Sequence, residues 1–155
     1  MNFFTELAKA KSDAYSTLPS YHTPMQLPGG NGDAVQVTVD GAAKTLYIAT
    51  PDGISGGSGL GIPHNTRGYF SEVPNGGPND YFTPNLLGGS IDYDVDLSQI
   101  ECGCVAAFYT VKMPAKDYNG NPIAGDDGKY YCDANQVGGT YCPEFDIMEA
   151  NKYAY

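Results

Sequence analysis

The chain has 155 residues, 41% hydrophobic and 17% charged, enough for one domain with a packed core and too apolar for a disordered polymer. A net charge of −10 repels nucleic acid and anionic membranes, so neither is expected as a partner. No apolar run approaches the ~20 residues that span a bilayer, and the start, Met1 to Lys9, lacks the basic-then-apolar pattern of a signal peptide.

Residues 3–15 hold Phe3, Phe4 and Leu7 at helical spacing, which predicts a short peripheral helix in an otherwise irregular segment, 1–34. From residue 35 onward short strands are expected, because the chain carries 20 Gly and 11 Pro and few helix-friendly runs. Val35-Gln-Val-Thr-Val39 alternates and Thr45-Leu-Tyr-Ile-Ala-Thr50 follows it. The Asp-Gly-Ala-Ala between them predicts a hairpin. Residues 51–89 are rich in Gly and Pro. Gly56-Gly-Ser-Gly-Leu-Gly61 lacks the Lys-Ser/Thr of a phosphate loop and leads into Pro63, so a surface loop is expected.

Order resumes at Ser90-Ile-Asp-Tyr-Asp-Val-Asp-Leu97, where Ile91, Tyr93, Val95 and Leu97 alternate with Asp92, Asp94 and Asp96 as in a half-buried strand. Val105 to Met113 is the most continuously apolar run and predicts a central strand. Residues 115–131 are turn-rich. Asp117-x-Asn119-Gly-Asn121 has its Gly in the wrong place for an EF-hand loop and no closing Glu, so turns rather than calcium are expected.

The chemically loaded segment is Glu144-Phe-Asp146-Ile-Met-Glu149. On a strand Glu144 and Asp146 share a face, with Phe145 and Ile147 toward the core. Glu149 lies at an odd separation from Glu144, so a regular strand would send it to the opposite face. All three acids meet one ligand only if a bulge or twist interrupts the strand near Met148. Paired carboxylates suit general acid and nucleophilic work, with a third group orienting the nucleophile. Acids on a solvated face remain the plainer alternative. His22 and His64 are read as ordinary loop residues.

Cys102, Cys104, Cys132 and Cys142 make an even count in a Gly-rich, strand-rich chain, which favours an oxidising compartment. Their spacing matches no common zinc pattern, and no metal is expected.

Four blocks in order resemble glycoside hydrolase family 7, the cellobiohydrolases and endoglucanases. They are Asn85 to Ser98, Cys102 to Met113, Tyr131-Cys-Asp133 and Glu144-Phe-Asp-Ile-Met-Glu-Ala-Asn151. The resemblance covers mainly residues 85–151 and implies an all-β fold, an antiparallel β-sandwich of jelly-roll (concanavalin-like) type over 35–155. It implies Glu144 as nucleophile, Glu149 as acid/base and Asp146 hydrogen-bonded to the nucleophile. A β-1,4-glucan substrate, retention of configuration, no cofactor and a Cys132–Cys142 disulfide follow from it too. Together with the cysteines it implies an extracellular or cell-surface setting.

This sequence also departs from the family. Members are longer, so the sandwich is expected to be incomplete here, or completed by another chain or a further C-terminal part. Cys102 matches a cysteine whose partner lies in that further part, which leaves it free, bridged to another chain, or joined to Cys104. There is no Trp, and Met148 stands where the family has one. Sugar stacking then falls to tyrosines, with Tyr93, Tyr109 and Tyr141 the leading candidates beside Tyr81 and Tyr130. Two functions are therefore carried forward: a retaining β-glucanase, and a glycan-binding or structural assembly protein that kept the strand without the catalysis.

Overall fold

A computed structural model describes residues 2–7, 34–49, 54, 56, 59–125 and 128–155. Its strands are β1 (Asn2–Leu7), β2 (Ala34–Val39), β3 (Ala42–Ala49), β4 (Arg67–Ser71), β5 (Ala106–Val111) and β6 (Glu144–Ala150). They form one antiparallel sheet in the order β2-β3-β4-β1-β5-β6. The described residues are thus all-β, an architecture compatible with a β-sandwich.

The hairpin forms with a tighter turn than the sequence pattern suggests. Val35 pairs with Leu46 and Val39 with Ala42, so only Asp40 and Gly41 lie between the strands. Both have positive φ, 51° and 78°, as the favoured two-residue hairpin turn requires. Ala42 and Ala43 belong to the strand, not to the turn.

Three expectations need correction. Asn2–Leu7 is a strand, not the first half of a helix; residues 8–15 of that expected helix lie outside the described residues. Its backbone fits between β4 and β5, with Phe4 in register with both Tyr69 and Tyr109. Residues 90–97 do not join the sheet. Their apolar side chains still meet the sheet: Ile91 packs against the layer of Phe108, and the Tyr93 ring lies 4.9 Å from Phe108 in an edge-to-face arrangement. Finally, β4 arises inside the Gly- and Pro-rich stretch. Gly68 hides it, because the strand runs against Ile54 and Ile48 there. A Cβ at Gly68 would stand 2.4 Å from Ile54 Cδ1 and 2.9 Å from Ile48 Cγ2.

Each face of the sheet carries its own core. On one face lie Ala49, Tyr69, Ala107, Tyr109 and Val111, covered by Tyr81, Met113, Tyr131 and the Cys132–Cys142 pair. On the other, Val35, Leu46 and Ile48 pack with Ile54 and Phe82, and Phe70, Phe108 and Ile147 extend that layer. Within the apolar run Val105 to Met113, Ala106–Val111 forms an interior strand. β5 has neighbours on both sides and is buried over Tyr109–Val111.

Candidate functional site

The acids sit on β6, and the pairing of β6 with β5 decides where they point. Val111 faces Glu144, Thr110 faces Phe145 and Tyr109 faces Asp146. The register then shifts, and Phe108 faces Met148 while Ala107 faces Glu149. Ile147 is the extra residue. Directly opposed residues share a face, so Glu144, Asp146 and Glu149 all lie on the face of Val111, Tyr109 and Ala107. An odd separation of five thereby becomes an even step of four along β5. The bulge that this requires is present, one residue before Met148. Ile147 packs with the opposite layer, which gives the bulged residue a place to go. Phe145 also points away from the acids but is 60% exposed, so it is not the core residue that alternation predicts.

Glu144 is held from behind by the loop that follows β5. Its Oε2 accepts the Ala134 backbone N–H at 3.0 Å, a charge-assisted bond that fixes the carboxylate's orientation. The loop is itself tightly built. Cys132 and Cys142 form a disulfide with Cα atoms 5.4 Å apart. Between them Asp133 is buried and accepts the Val137 N–H at 3.0 and 3.2 Å. The Cys142 N–H donates to the Asp133 carbonyl at 3.1 Å. The disulfide, the Asp133 turn and the Ala134 N–H form one chain of constraints ending at Glu144. In the sequence Asp133 stands out only as part of the Tyr131-Cys-Asp133 block; its role in holding this loop comes from the structure.

Asp146 and Glu149 are exposed. Glu149 stands opposite Ala107, which is buried in the core on that face. The residues that the three acids face on β5, Val111, Tyr109 and Ala107, are alternate ones ~6.6 Å apart, so Asp146 stands between the two glutamates.

A cation and a tyrosine stack lie on the same face of the sheet as the acids. The Arg67 guanidinium lies 3.8 Å from the centre of the Tyr131 ring, Tyr131 stacks on Tyr69 with centroids 6.0 Å apart, and the Tyr109 hydroxyl donates to that of Tyr131 at 3.2 Å. Arg67 pairs with Glu6, Glu6 with Ala107, and Ala107 with Glu149, so Arg67 and Glu149 share one cross-strand row. Burial pushes the Tyr131 phenol well above the ordinary tyrosine range, against the lowering effect of Tyr109 and Arg67.

The three tyrosines singled out for sugar stacking are not brought together. Tyr109 is 1% exposed, so its ring is part of the core and offers no free face. Tyr93 contacts Phe108, on the side of the sheet away from the acids. Tyr141 is 61% exposed in the disulfide loop, three residues before Glu144, and is the one of the three both open and near the acid strand. Tyr81 is buried, its hydroxyl donating to the Lys129 carbonyl, and Tyr130 is half-buried. Among the described residues no three His, Cys, Asp or Glu side chains gather as a metal site, and no helix is long and apolar enough to cross a membrane.

Fold and site together define an all-β protein whose edge strand aims three carboxylates to one side. No family model matches the chain, and no solved structure matches it. A stretch of 115 aligned residues is 32% identical to Endoglucanase EG-1 of Trichoderma longibrachiatum, covering 60% of this chain and 24% of that protein. The matched region is therefore a minor part of the relative's length.

Proposed function

We propose that this chain carries the catalytic strand of a retaining β-1,4-glucan hydrolase of the family 7 type, with a jelly-roll sandwich as its complete fold and a secreted or cell-surface setting. The observation that carries the reading is the bulge at Ile147, which turns Glu149 to the face of Glu144 and Asp146.

In this reading Glu144 attacks the anomeric carbon, and the Ala134 N–H holds its carboxylate in the attacking orientation. Glu149 protonates the departing glycosidic oxygen and then deprotonates the water that releases the sugar. Asp146, between them, hydrogen-bonds the nucleophile. Such a mechanism needs the two working carboxyls ~5–5.5 Å apart. Their Cα atoms face residues four apart on β5, a span of ~13 Å, so the two side chains must lean toward each other over Asp146.

The test is release of reducing sugar from a soluble β-1,4-glucan. Hydrolysis by the wild-type chain, abolished by Glu144→Gln, supports the proposal; equal release by both proteins sinks it. Retention is read from the anomer first formed.

A second reading has its own support. β6 ends the sheet, and Phe145 stands exposed upon it, features that suit a glycan-binding or assembly protein completed by another chain. Sedimentation as oligomers without any hydrolysis is the result that favours this alternative.

A further inference from the structure

The turn leading into β5 carries two thiols that the acid site does not use. The Cys104 amide donates to the Glu101 carbonyl at 3.0 Å, closing a four-residue turn with Cys102 and Gly103 at its centre. Gly103 has φ 85°, and nothing lies within 4 Å of where its Cβ would stand, as in a hydrogen-bonded type II turn. Cys102 is exposed, Cys104 is half-buried, and both are free. Residues on either side of a single turn glycine have Cα atoms less than ~7 Å apart, overlapping the ~4.4–6.8 Å that a disulfide spans.

This turn is tied to the end of β6. The Asn151 side-chain amide donates to the Cys104 carbonyl at 3.1 Å, and the Lys152 N–H donates to the Ile100 carbonyl at 3.0 Å. The Lys152 ammonium pairs with the Glu101 carboxylate, which also accepts the Tyr153 hydroxyl at 3.1 Å. Both arms of the Cys-Gly-Cys turn are thus clipped to the residues just after Glu149 and Ala150.

We propose that Cys102 and Cys104 form a reversible dithiol–disulfide couple, a redox modification site whose state is transmitted to the end of β6. The oxidant is a small-molecule disulfide such as oxidised glutathione. The exposed Cys102 thiolate attacks one of its sulfurs, releasing one glutathione thiolate and leaving a mixed disulfide on Cys102. The Cys104 thiolate then attacks the Cys102 sulfur, breaks that mixed bond and expels the second glutathione thiolate. The two thiol protons end on the two glutathione thiolates, and the two electrons have reduced the oxidant. Closing so small a ring strains it, which keeps the bond easy to reduce. Closure also draws the Cys104 carbonyl toward Cys102 and so shifts the acceptor that Asn151 holds.

The test incubates the full chain in mixtures of reduced and oxidised glutathione, quenches with acid, alkylates with N-ethylmaleimide and weighs the peptides. Two adducts on the peptide holding Cys102 and Cys104 are expected in reducing mixtures. In oxidising ones there are none, and the peptide is lighter by two hydrogens, with Cys132–Cys142 intact throughout. Cys104→Ser is expected to accumulate glutathione on Cys102, because the resolving thiol is gone. Hydrogen exchange at the Asn151, Tyr153 and Ala154 amides is expected to change several-fold between the two forms. Two alkylated thiols in every mixture, or Cys102 recovered only in a bond to a second chain, overturns the couple; unchanged exchange overturns the transmission. Neither readout measures glucan hydrolysis, so this proposal and the hydrolase proposal fail separately.

Discussion

At Glu144 the side chain is oriented before any ligand arrives, because the Ala134 N–H meets its Oε2 at 3.0 Å. Replacing an attacking carboxylate removes the covalent step, and replacing the proton donor removes general acid catalysis, typically ~10²–10⁴-fold. Under the proposed hydrolase reading, Glu144→Gln and Glu149→Gln are each expected to lower the rate of reducing-sugar release at least ~10²-fold with little effect on the urea midpoint. Asp146→Asn, which keeps a hydrogen-bonding group in place, is expected to cost less than either. Glu144 and Asp146 share a face as a strand's period of two leads one to expect, whereas Glu149 breaks that period and joins them only through the bulge. The neighbours are less legible in the sequence. Alternation predicts Phe145 inward, yet β6 is an edge strand and nothing described covers that ring.

Tyr131 yields a pH prediction at the same scale. Burial holds its phenol neutral and raises its pKa above that of an exposed tyrosine. A raised folded-state value means that the unfolded chain ionises first. The stabilisation is therefore complete below the ordinary tyrosine pKa of ~10 and is lost as pH rises through the folded value. Urea unfolding above about pH 10 is expected to show stability falling in the wild type and falling less in Tyr131→Phe.

Among the elements, the bulge in β6 repays scrutiny because it serves two ends. It gives Glu149 the same facing as Glu144, and a bulge of this kind bends the strand that carries it. Deleting Ile147 leaves Glu149 four residues from Glu144, an even step that preserves the facing but removes the bulge. The deletion variant is expected to fold and to lose ~10²-fold or more in rate, because a misplacement of about 1 Å is enough for that. The sequence requires an irregularity near Met148, and pairing with β5 puts it at Ile147.

Strand β4 illustrates the opposite case. Its Arg-Gly-Tyr-Phe-Ser sequence gives no clean alternation because its second position is a glycine dictated by tertiary contact. Gly68→Ala would press a methyl against Ile54 and Ile48, and a loss of ~1–3 kcal/mol in urea unfolding is expected from such overpacking. Residues 90–97 mislead in the other direction. Their alternation is the pattern of a strand, but pairing needs a neighbour, and no described strand lies alongside them.

For the molecule as a whole, the disulfide loop joins stability to the site. In the chain-entropy view a loop the length of Cys132–Cys142 stabilises the fold by about 2–3 kcal/mol. Cys132→Ser/Cys142→Ser is expected to lower the unfolding free energy by that amount. It is also expected to reduce hydrolysis more than the fraction unfolded explains, because Glu144 then loses its fixed donor. A urea titration beside the activity assay separates the two effects.

Strand β1 lies between β4 and β5, so the first residues of the chain bridge the hairpin half of the sheet to the half that bears the acids. Asn2 is in register with Val111, a pairing between distant parts of the sequence and one of the kind that folds slowly. During synthesis β2, β3 and β4 leave the ribosome without the acid-bearing edge, and β1 must wait with one flank unpaired until β5 is made. Trimming a handful of residues at the start would thus do more than shorten a tail: it would unstitch the sheet down its middle and leave the carboxylates on a two-stranded ribbon.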